Sequence, residues 1–265
     1  MSLIQITREG PVTILTLNRA ETMNPLGAPG DGDAFVAAVN AINRDMECRV
    51  VILTGAGRAF SAGGDIKAMQ NKAGTFGGTA PAISDGYRDN IHLMLRALYG
   101  IRVPVIAAVN GAAIGLGCDV ACLADIRIAS ESAKFGVTFL KLGIIPGDGG
   151  TWILPRVIGM SRAAELFYTG DVINAATAKD WGLVSRVVAA DALMDEARAL
   201  ATKIAALPPH ALRHTKNLLR QSQQISYDSA LEMAANTQAM MHTTADHAEG
   251  VAALIEKRSA VFKGE

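Results

Sequence analysis

Two short segments at the start of the chain alternate apolar and polar residues. Residues 4–8 are Ile-Gln-Ile-Thr-Arg and residues 12–17 are Val-Thr-Ile-Leu-Thr-Leu, with Gly10 and Pro11 between them. In a strand, successive side chains point to opposite faces, and a glycine next to a proline is typical of a turn. The pattern therefore predicts that the chain opens with a β-hairpin.

An apolar run, a glycine-rich turn and a helical pattern then follow one another, and this order recurs. The repetition predicts an α/β fold in which ββα units form a continuous coil. The segments are a helix at about 32–45, strands at 50–54 and 105–109, a helix at about 84–98, and a weaker third unit with strands at 125–129 and 133–136 and a helix from Gly149.

The last part of the chain has a helical pattern throughout. Amphipathic runs extend from Asp191 to Arg258, and Pro208-Pro209 is placed to start a new helix. We therefore divide the chain into a ββα core, residues 1–190, and a C-terminal helical subdomain, residues 191–265. The subdomain is expected to close a site or to mediate assembly.

Composition and charge narrow the classes of partner. Half of the 265 residues are apolar, which is enough for one large core, and 25 basic residues balance 25 acidic ones. Without a net charge the chain has no overall field that would attract nucleic acid or an anionic membrane. Neither partner is expected.

The cysteines and the N-terminus indicate a cytoplasmic protein. Cys48, Cys118 and Cys122 are too few for a disulfide scaffold and are expected to be reduced thiols. The first residues lack the basic and then apolar segments of a signal peptide. The long apolar stretch 103–124 contains Pro104 and Asp119, so it is predicted as a buried strand, turn and helix rather than a membrane span.

Two glycine-rich turns directly follow apolar runs, one at residues 55–67 and one at residues 110–119. Such turns serve as tight connections, but they also let a ligand approach the free N–H groups at the start of the next helix. In the first turn Phe60 stands where a dinucleotide motif requires its third glycine, and no Gly-Lys-Ser/Thr follows. The turns therefore predict amides that converge on one ligand oxygen, not a nucleotide-phosphate loop.

Asp119 is the most unusual acidic residue. It is the only Asp, Glu, Lys, Arg or His between Val103 and Ala124. A buried carboxylate without a partner is costly or titrates upward, which makes it a candidate acid or base. The structural alternative is an aspartate that accepts hydrogen bonds from amides in the first turn of its own helix.

Four motifs, in order and at compatible separations, resemble those of the enoyl-CoA hydratase/isomerase (crotonase) superfamily. The resemblance implies a crotonase-like spiral of ββα repeats that binds acyl-CoA, a C-terminal helical subdomain, and a homotrimer or hexamer. The motifs are Asn18-Arg19 with Asn24-Pro25-Leu26, Phe-Ser-Ala-Gly-Gly-Asp-Ile-Lys at 60–67, the turn at 110–119, and Gly-Ile-Ile-Pro-Gly-Asp-Gly-Gly-Thr at 143–151.

The same resemblance implies an oxyanion hole. It places the backbone amides of Ala62 and Leu116 at the thioester oxygen, where donors aimed at a developing negative charge stabilise an enolate. The coenzyme A thioester is then the substrate, and no further cofactor is implied. No metal is expected either, because His210 and His214 have zinc-compatible spacing but no third ligand is indicated.

The resemblance also implies where coenzyme A binds. Ala62, Asp65 and Ile66 would line its adenine end through backbone contacts, with Lys67 nearby. Phe262 and Lys263 resemble residues that reach the nucleotide from a neighbouring subunit. The alternative for Lys67 and Lys263 is an ordinary solvated surface lysine.

The acidic residues depart from the pattern of typical hydratases. Asp119 occupies the position of their first catalytic glutamate, but Phe139 occupies that of the second, and a phenyl ring carries no proton. Asp148 stands at or next to a position where several isomerases of the superfamily have a catalytic aspartate. Alternatively, Asp148 is the N-cap of the helix that begins near Gly149.

Together these residues predict an enzyme that acts on an unsaturated acyl-CoA thioester through an enolate, by a double-bond shift or by water addition. Two acids in different environments suit proton removal at one carbon and delivery at another, and Phe139 favours the double-bond shift. The alternative is a relative that binds acyl-CoA without turnover or that binds RNA. The neutral charge argues against RNA binding.

Overall fold

The computed structural model describes residues 3–265. Its strands are β1 (Ile4–Glu9), β2 (Val12–Leu17), β3 (Val50–Gly55), β4 (Ala59–Ser61), β5 (Val105–Val109), β6 (Ala112–Ile114), β7 (Ile126–Ser130), β8 (Lys134–Gly136), β9 (Val172–Asn174) and β10 (Arg186–Val188).

Its helices are α1 (Asp31–Arg44), α2 (Ile66–Gln70), α3 (Ala80–Gly86), α4 (His92–Tyr99), α5 (Leu116–Leu123), α6 (Gly150–Ile158), α7 (Met160–Thr169), α8 (Ala175–Asp180), α9 (Leu193–Ala205), α10 (Pro209–Gln221), α11 (Tyr227–His242) and α12 (Ala245–Glu256). A π-helical turn, Tyr87–Ile91, joins α3 to α4.

The strands form two sheets. The larger sheet has the order β1-β2-β3-β5-β7-β10, and the smaller has the order β4-β6-β8-β9. The hairpin β1–β2 is antiparallel, as its alternation predicted, while β2, β3, β5, β7 and β10 run parallel. Parallel strands are covered on both faces, which explains why every residue of β3 and β5 is buried.

The predicted coil of ββα units is confirmed. Each turn of the coil contributes one strand to each sheet and then a helix: β3, β4 and α2; β5, β6 and α5; β7, β8 and α6. As predicted, the apolar stretch 103–124 forms β5, β6 and α5. None of the helices in residues 3–265 combines the length and apolar composition that crossing a lipid bilayer requires.

The C-terminal part is helical, as expected. Helix α9 begins close to the predicted boundary, but it packs its buried face, which includes Leu193, Ala197 and Ala201, against strands of the larger sheet to form a second apolar cluster. Helix α10 is tied to the core because Lys216 donates to the carbonyl of Val103 at 2.7 Å. The division into 1–190 and 191–265 as separate units stays a prediction.

Candidate active site

The two predicted glycine turns pack directly against each other. Strand β4 runs parallel to β6, with Ser61 opposite Ala113, and a side chain at Gly117 would collide with Ser61. Gly63 has a φ of +90°, and a Cβ there would stand 3.4 Å from the amide nitrogen of Leu116. The backbone geometry therefore requires glycine at 63, and it brings the amides of both turns to one place.

The amide that is free in the first turn is that of Gly64, not that of Ala62. The Ala62 N–H donates to the carbonyl of Met23 at 2.9 Å, and the Gly63 N–H donates to the Ser61 hydroxyl at 3.1 Å. Within residues 3–265 the Gly64 N–H has no acceptor. The assignment of an oxyanion donor to Ala62 is therefore corrected, because an N–H that is already bonded to Met23 is not available to a ligand.

The second predicted amide is free. Leu116 is the first residue of α5, where an N–H has no partner within the helix. No carbonyl among the described residues accepts from it. The preceding residue, Gly115, has a φ of +53° and turns the chain so that the helix starts beside the first glycine turn.

Asp119, on α5, is wholly buried and has no conventional partner. Its exposure is 0%, and neither carboxyl oxygen accepts a hydrogen bond from an N–H or hydroxyl of the described residues. It does not bond amides in the first turn of its own helix, so that structural alternative is excluded. Burial, and next the neighbouring charge of Asp148, raise the pKa of Asp119 well above its usual range.

Asp148, in the turn before α6, is the neighbour of Asp119. The two carboxyls are close enough for the charge of Asp148 to act on Asp119. Burial raises the pKa of Asp148, while the hydrogen bond with Asp119, its own backbone amide and a charge on His92 oppose that rise. Asp148 does not cap α6, because the N-cap is Gly149 and no side chain bonds there.

Gly150 makes room for this pair of carboxyls. A Cβ at position 150 would lie 2.5 Å from both carboxyl oxygens of Asp119, which is far inside van der Waals contact. Any other residue at 150 would displace the carboxyl group. Gly150 lies within the fourth sequence motif, which by itself indicated no role for it.

Phe139 lies against the second turn. Its ring would be 3.6 Å from a Cβ at Gly115, the residue before the free amide of Leu116, and it packs on the main apolar core. The position where typical hydratases were expected to have a second glutamate thus holds a half-buried apolar ring.

An open cleft of about 990 Å³ lies beside the first glycine turn, from which Ile66 contributes to its wall. A Cβ at Gly64 would stand 3.6 Å from Phe76, and Phe76 forms part of the cleft wall together with Met69. The cleft is mainly apolar and ends at Gly147 and His92, next to Asp148. Such a cleft suits an acyl chain that reaches from the amides to the carboxyl pair.

Of the residues predicted at the adenine end of coenzyme A, Ile66 lines the cleft and the others are its neighbours in the chain. The Asp65 carboxylate accepts from the amides of Lys67 at 2.8 Å and Ala68 at 3.1 Å, so it caps α2. Ile66 is 54% exposed and lines the cleft, and Lys67 is exposed next to it. Their contacts with a nucleotide stay a prediction.

Phe262 and Lys263 do not reach this place within one chain. The Phe262 carbonyl accepts from Arg49 at 2.8 Å, and the Lys263 N–H donates to Asp246 at 2.7 Å. Arg49 precedes β3, whose far end leads into the first glycine turn. Both residues therefore lie at the opposite end of β3, and a contact from a neighbouring subunit stays a prediction.

Sequence reasoning missed His92 and Tyr87. Both line the cleft, and their rings stand edge to face with centroids 6.0 Å apart. The one signal in the sequence was that the predicted helix at about 84–98, which was assigned only a packing role, contains the histidine His92. Across residues 3–265 no three His, Cys, Asp or Glu side chains are grouped so as to hold a metal ion.

The whole chain resembles known proteins. A sequence model of the family described as Enoyl-CoA hydratase/isomerase matches residues 7–265. A probable enoyl-CoA hydratase of Mycobacterium bovis is 38% identical over 259 residues, covering 98% of this chain and 97% of the relative. A 1,2-epoxyphenylacetyl-CoA isomerase of Escherichia coli is 37% identical over 257 residues, covering 97% of each chain.

Solved structures agree with the fold. The crystal structure of an enoyl-CoA hydratase from Bacillus anthracis superposes with a TM-score of 0.92 at 37% identity, covering 99% of this chain and 100% of that one. Similarity at this level extends over both sheets and the C-terminal helices.

Proposed function

We propose, on the premise that this chain belongs to the enoyl-CoA hydratase/isomerase family, that it shifts a double bond along an unsaturated acyl-CoA thioester. The family makes it an enoyl-CoA hydratase/isomerase-type enzyme, and the site's own residues support the shift. The observation that carries the proposal is the buried carboxyl pair Asp119–Asp148, which has no other hydrogen-bonding partner among residues 3–265 apart from backbone contacts to Asp148.

The free amides of Gly64 and Leu116 receive the thioester oxygen. When a proton leaves the acyl chain, negative charge develops on that oxygen, and two N–H groups already aimed at it stabilise the enolate. No solvent needs to reorganise there. The apolar cleft then holds the chain so that its carbons face the carboxyl pair.

The carboxyl pair performs the two proton transfers. Asp119 is wholly buried, whereas Asp148 has its own backbone amide and His92 nearby, so we assign the proton to Asp119 and the negative charge to Asp148. The Asp148 carboxylate removes a proton from one carbon, and the electron pair moves into the thioester as an enolate. Asp119 then gives its proton to another carbon of the conjugated system, which leaves the double bond displaced.

The pair resets by itself after each turnover. After the two transfers Asp148 holds the proton and Asp119 is ionised. Since the two carboxyls are neighbours, the proton returns to Asp119, which is wholly buried and has no N–H or hydroxyl donor to stabilise its anion. No outside acid is required for the two transfers, and the pair exchanges its proton with water once the product has left the open cleft.

Water addition is the second candidate, because the same two carboxyls converge and are able to hold a water molecule between them and the double bond. In that reaction the base removes a proton from water, the resulting hydroxide adds to the β-carbon, and the enolate takes a proton at the α-carbon. Phe139 opposes this reaction because its ring fills the position of the second glutamate.

The amide at Leu116 is testable because Leu116 is the first residue of α5. Proline is favoured at that position of a helix and lacks the N–H, and Gly115 is outside the conformations that a following proline disfavours. We expect Leu116→Pro to lower kcat about 10²–10³-fold. Leu116→Ala, which loses the side chain but keeps the amide, is the control and should retain most of that rate.

The products show whether the enzyme catalyses double-bond migration or water addition. Enoyl-CoA thioesters with short, long and aromatic acyl groups should be followed at once for double-bond migration and for water addition. We expect migration to dominate, and Phe139→Glu should raise the share of hydrated product. Exclusive hydration by the unchanged enzyme would overturn the first candidate and establish the second.

We also propose that the enzyme is a cytoplasmic homotrimer or hexamer that needs neither metal nor cofactor. Apolar side chains on α12, Leu254 at 81% exposure and Ile255 at 75%, support assembly through the C-terminal helices. Sedimentation would measure the assembly, with a monomer as the opposing result. Full activity after treatment with a chelator would support the absence of a metal.

A further inference from the structure

His92 borders two cavities, one of which is also lined by Asp148. It lines the 990 Å³ acyl cleft together with Gly147, and it also lines a smaller cavity of about 410 Å³ together with Asp148. No other ionisable side chain among residues 3–265 borders both of these cavities. Any charge on its ring therefore acts on the acyl cleft and on Asp148 together.

The hydrogen bond of His92 fixes which ring nitrogen carries the hydrogen. Nε2 lies 2.7 Å from the carbonyl oxygen of Gly147, which only accepts, so Nε2 is the donor. Nδ1 has no hydrogen-bond partner within the described residues. The ring therefore holds the turn that carries Asp148 and keeps one nitrogen open to take a second proton.

The helix is deformed where it presents this ring. The backbone N–H of His92 donates to the carbonyl of Tyr87, five residues earlier, which makes a π-turn. In a regular α-helix, residues five apart point about 140° away from each other, whereas the wider π-turn brings them closer to one face. Tyr87 and His92 both contact Gly147 as a result.

A buried asparagine keeps the π-turn in place. Asn90 donates to the carbonyls of Gly27 at 3.0 Å and Ala28 at 2.9 Å, and it accepts from the amide of Gly32 at 2.8 Å. These contacts tie the turn to the start of α1. The position of His92 is thus fixed by contacts between the π-turn and the start of α1.

We propose that His92 is a positioning residue that holds the Asp148 turn and, when protonated, keeps Asp148 as the ionised member of the carboxyl pair. The inference rests on the proposed function, since it concerns the same pair. A cation on the imidazole favours the neighbouring carboxylate by Coulomb attraction, and a charge on His92 accordingly lowers the pKa of Asp148.

Several other charged or titratable groups face the same space. Arg96 is on the same helix, and Tyr87 and Arg88 are in the π-turn before it. Asp148 faces His92 and is paired with Asp119, and Lys72 comes from the segment after α2. The pKa of Tyr87 is raised by burial and then by the charge of Asp148, so this phenol stays neutral and supplies no cation. Arg96 shares the smaller cavity and provides the matched control.

The test is the pH dependence of kcat/KM in His92→Gln. Glutamine keeps an N–H that can bond the Gly147 carbonyl, but it cannot take up a proton. Removing the cation should raise the pKa of Asp148, so the acid limb of the profile should move upward by about 1 pH unit. Arg96→Gln should leave the limb in place, because the charges that act on the pKa of Asp148 include that of His92 but not that of Arg96. If turnover is too slow for a profile, a ¹³C titration of the Asp148 carboxyl gives the same measurement.

The possible results distinguish failure of the His92 proposal from failure of the proposed function. A shifted limb in His92→Gln with an unchanged melting temperature supports the proposal. An unmoved limb overturns it, whether the rate is kept or lost, because His92 would then be structural. Loss of activity in Asp148→Asn, measured beside it, keeps the proposed function standing in that case, and full activity of Asp148→Asn would remove the function itself.

Discussion

Two buried aspartates of this chain differ in the hydrogen-bond donors around them. Asp31, at the start of α1, is 2% exposed and accepts from the Arg19 guanidinium at 2.6 and 2.9 Å and from the amides of Gly27 and Ala28 at 3.0 Å each. Asp119 is 0% exposed, no N–H or hydroxyl of residues 3–265 donates to it, and the carboxyl of Asp148 is its neighbour.

The difference separates a structural carboxylate from a reactive one. At Asp31 every part of the charge is met by donors, as buried charges normally require. The same fold leaves Asp119 beside a second acid, where one of the two must hold a proton. Since neutral residues would fill that space at lower cost, the pair indicates function rather than stability.

The largest expected effect is on catalysis. Asp119→Asn and Asp148→Asn should each lower turnover about 10²–10⁴-fold, because each removes one proton-transfer group. Steady-state kinetics with an enoyl-CoA thioester would measure this, and the melting temperature would show that the fold is kept. Turnover within a few fold of the unchanged enzyme in both variants would contradict the assignment.

The opposite pattern is expected at Asp31. Asp31→Ala should lower the free energy of unfolding by about 3–5 kcal/mol, because it leaves the Arg19 guanidinium and two amides without their acceptor. Chemical denaturation would measure the change. Arg8→Ala, which removes an exposed partner of Asp45, is the control with a far smaller expected loss. A larger loss of unfolding free energy in Asp119→Asn than in Asp31→Ala would contradict the division into a structural and a reactive aspartate.

The pH dependence of the free energy of unfolding should differ between the unchanged protein and Asp119→Asn. A carboxyl whose folded pKa is raised above 3.8 binds more proton in the folded than in the unfolded state, so stability falls as pH rises from 3.8 toward the folded pKa. Asp119→Asn should therefore stabilise the protein at neutral pH relative to low pH, with a slope of at most about 1.4 kcal/mol per pH unit. Melting temperatures at pH 4 and 7 would measure it, and an equal difference at both would contradict it.

The smallest effect is expected at an exposed pair. Glu9 accepts from Arg198 at 2.9 and 3.0 Å, and this hydrogen bond lowers the pKa of Glu9. Solvent and salt screen such a pair, so Glu9→Gln should change the free energy of unfolding by less than about 1 kcal/mol, and less still in high salt. A loss comparable to that of Asp31→Ala would show that exposure does not separate these carboxylates.

Much of the fold was predictable because it follows local patterns. Alternation gave the β1–β2 hairpin, and apolar runs followed by glycines gave the ββα units. Asp119 was found because it was the single charge in an apolar stretch. These features depend on residues close together in the sequence.

The site details depend on contacts between distant residues. The Ala62 amide is occupied by the carbonyl of Met23, which has a φ of +64°, and no motif reveals that contact. The π-turn before His92 breaks the regular 3.6-residue period on which the predicted helix 84–98 was based, so its side-chain directions were not predictable. Nor did the sequence reveal that Gly149, not Asp148, caps α6.

The central claim, that Asp119 and Asp148 transfer protons through an enolate, is tested most directly by hydrogen exchange. Deuterium uptake from D₂O into the carbons of an enoyl-CoA thioester reports enolate formation whether the product is hydrated or isomerised. Mass spectrometry should find uptake with the unchanged enzyme and uptake slowed about 100-fold or more in Asp119→Asn and in Asp148→Asn. Uptake at the unchanged rate in both variants would contradict the account.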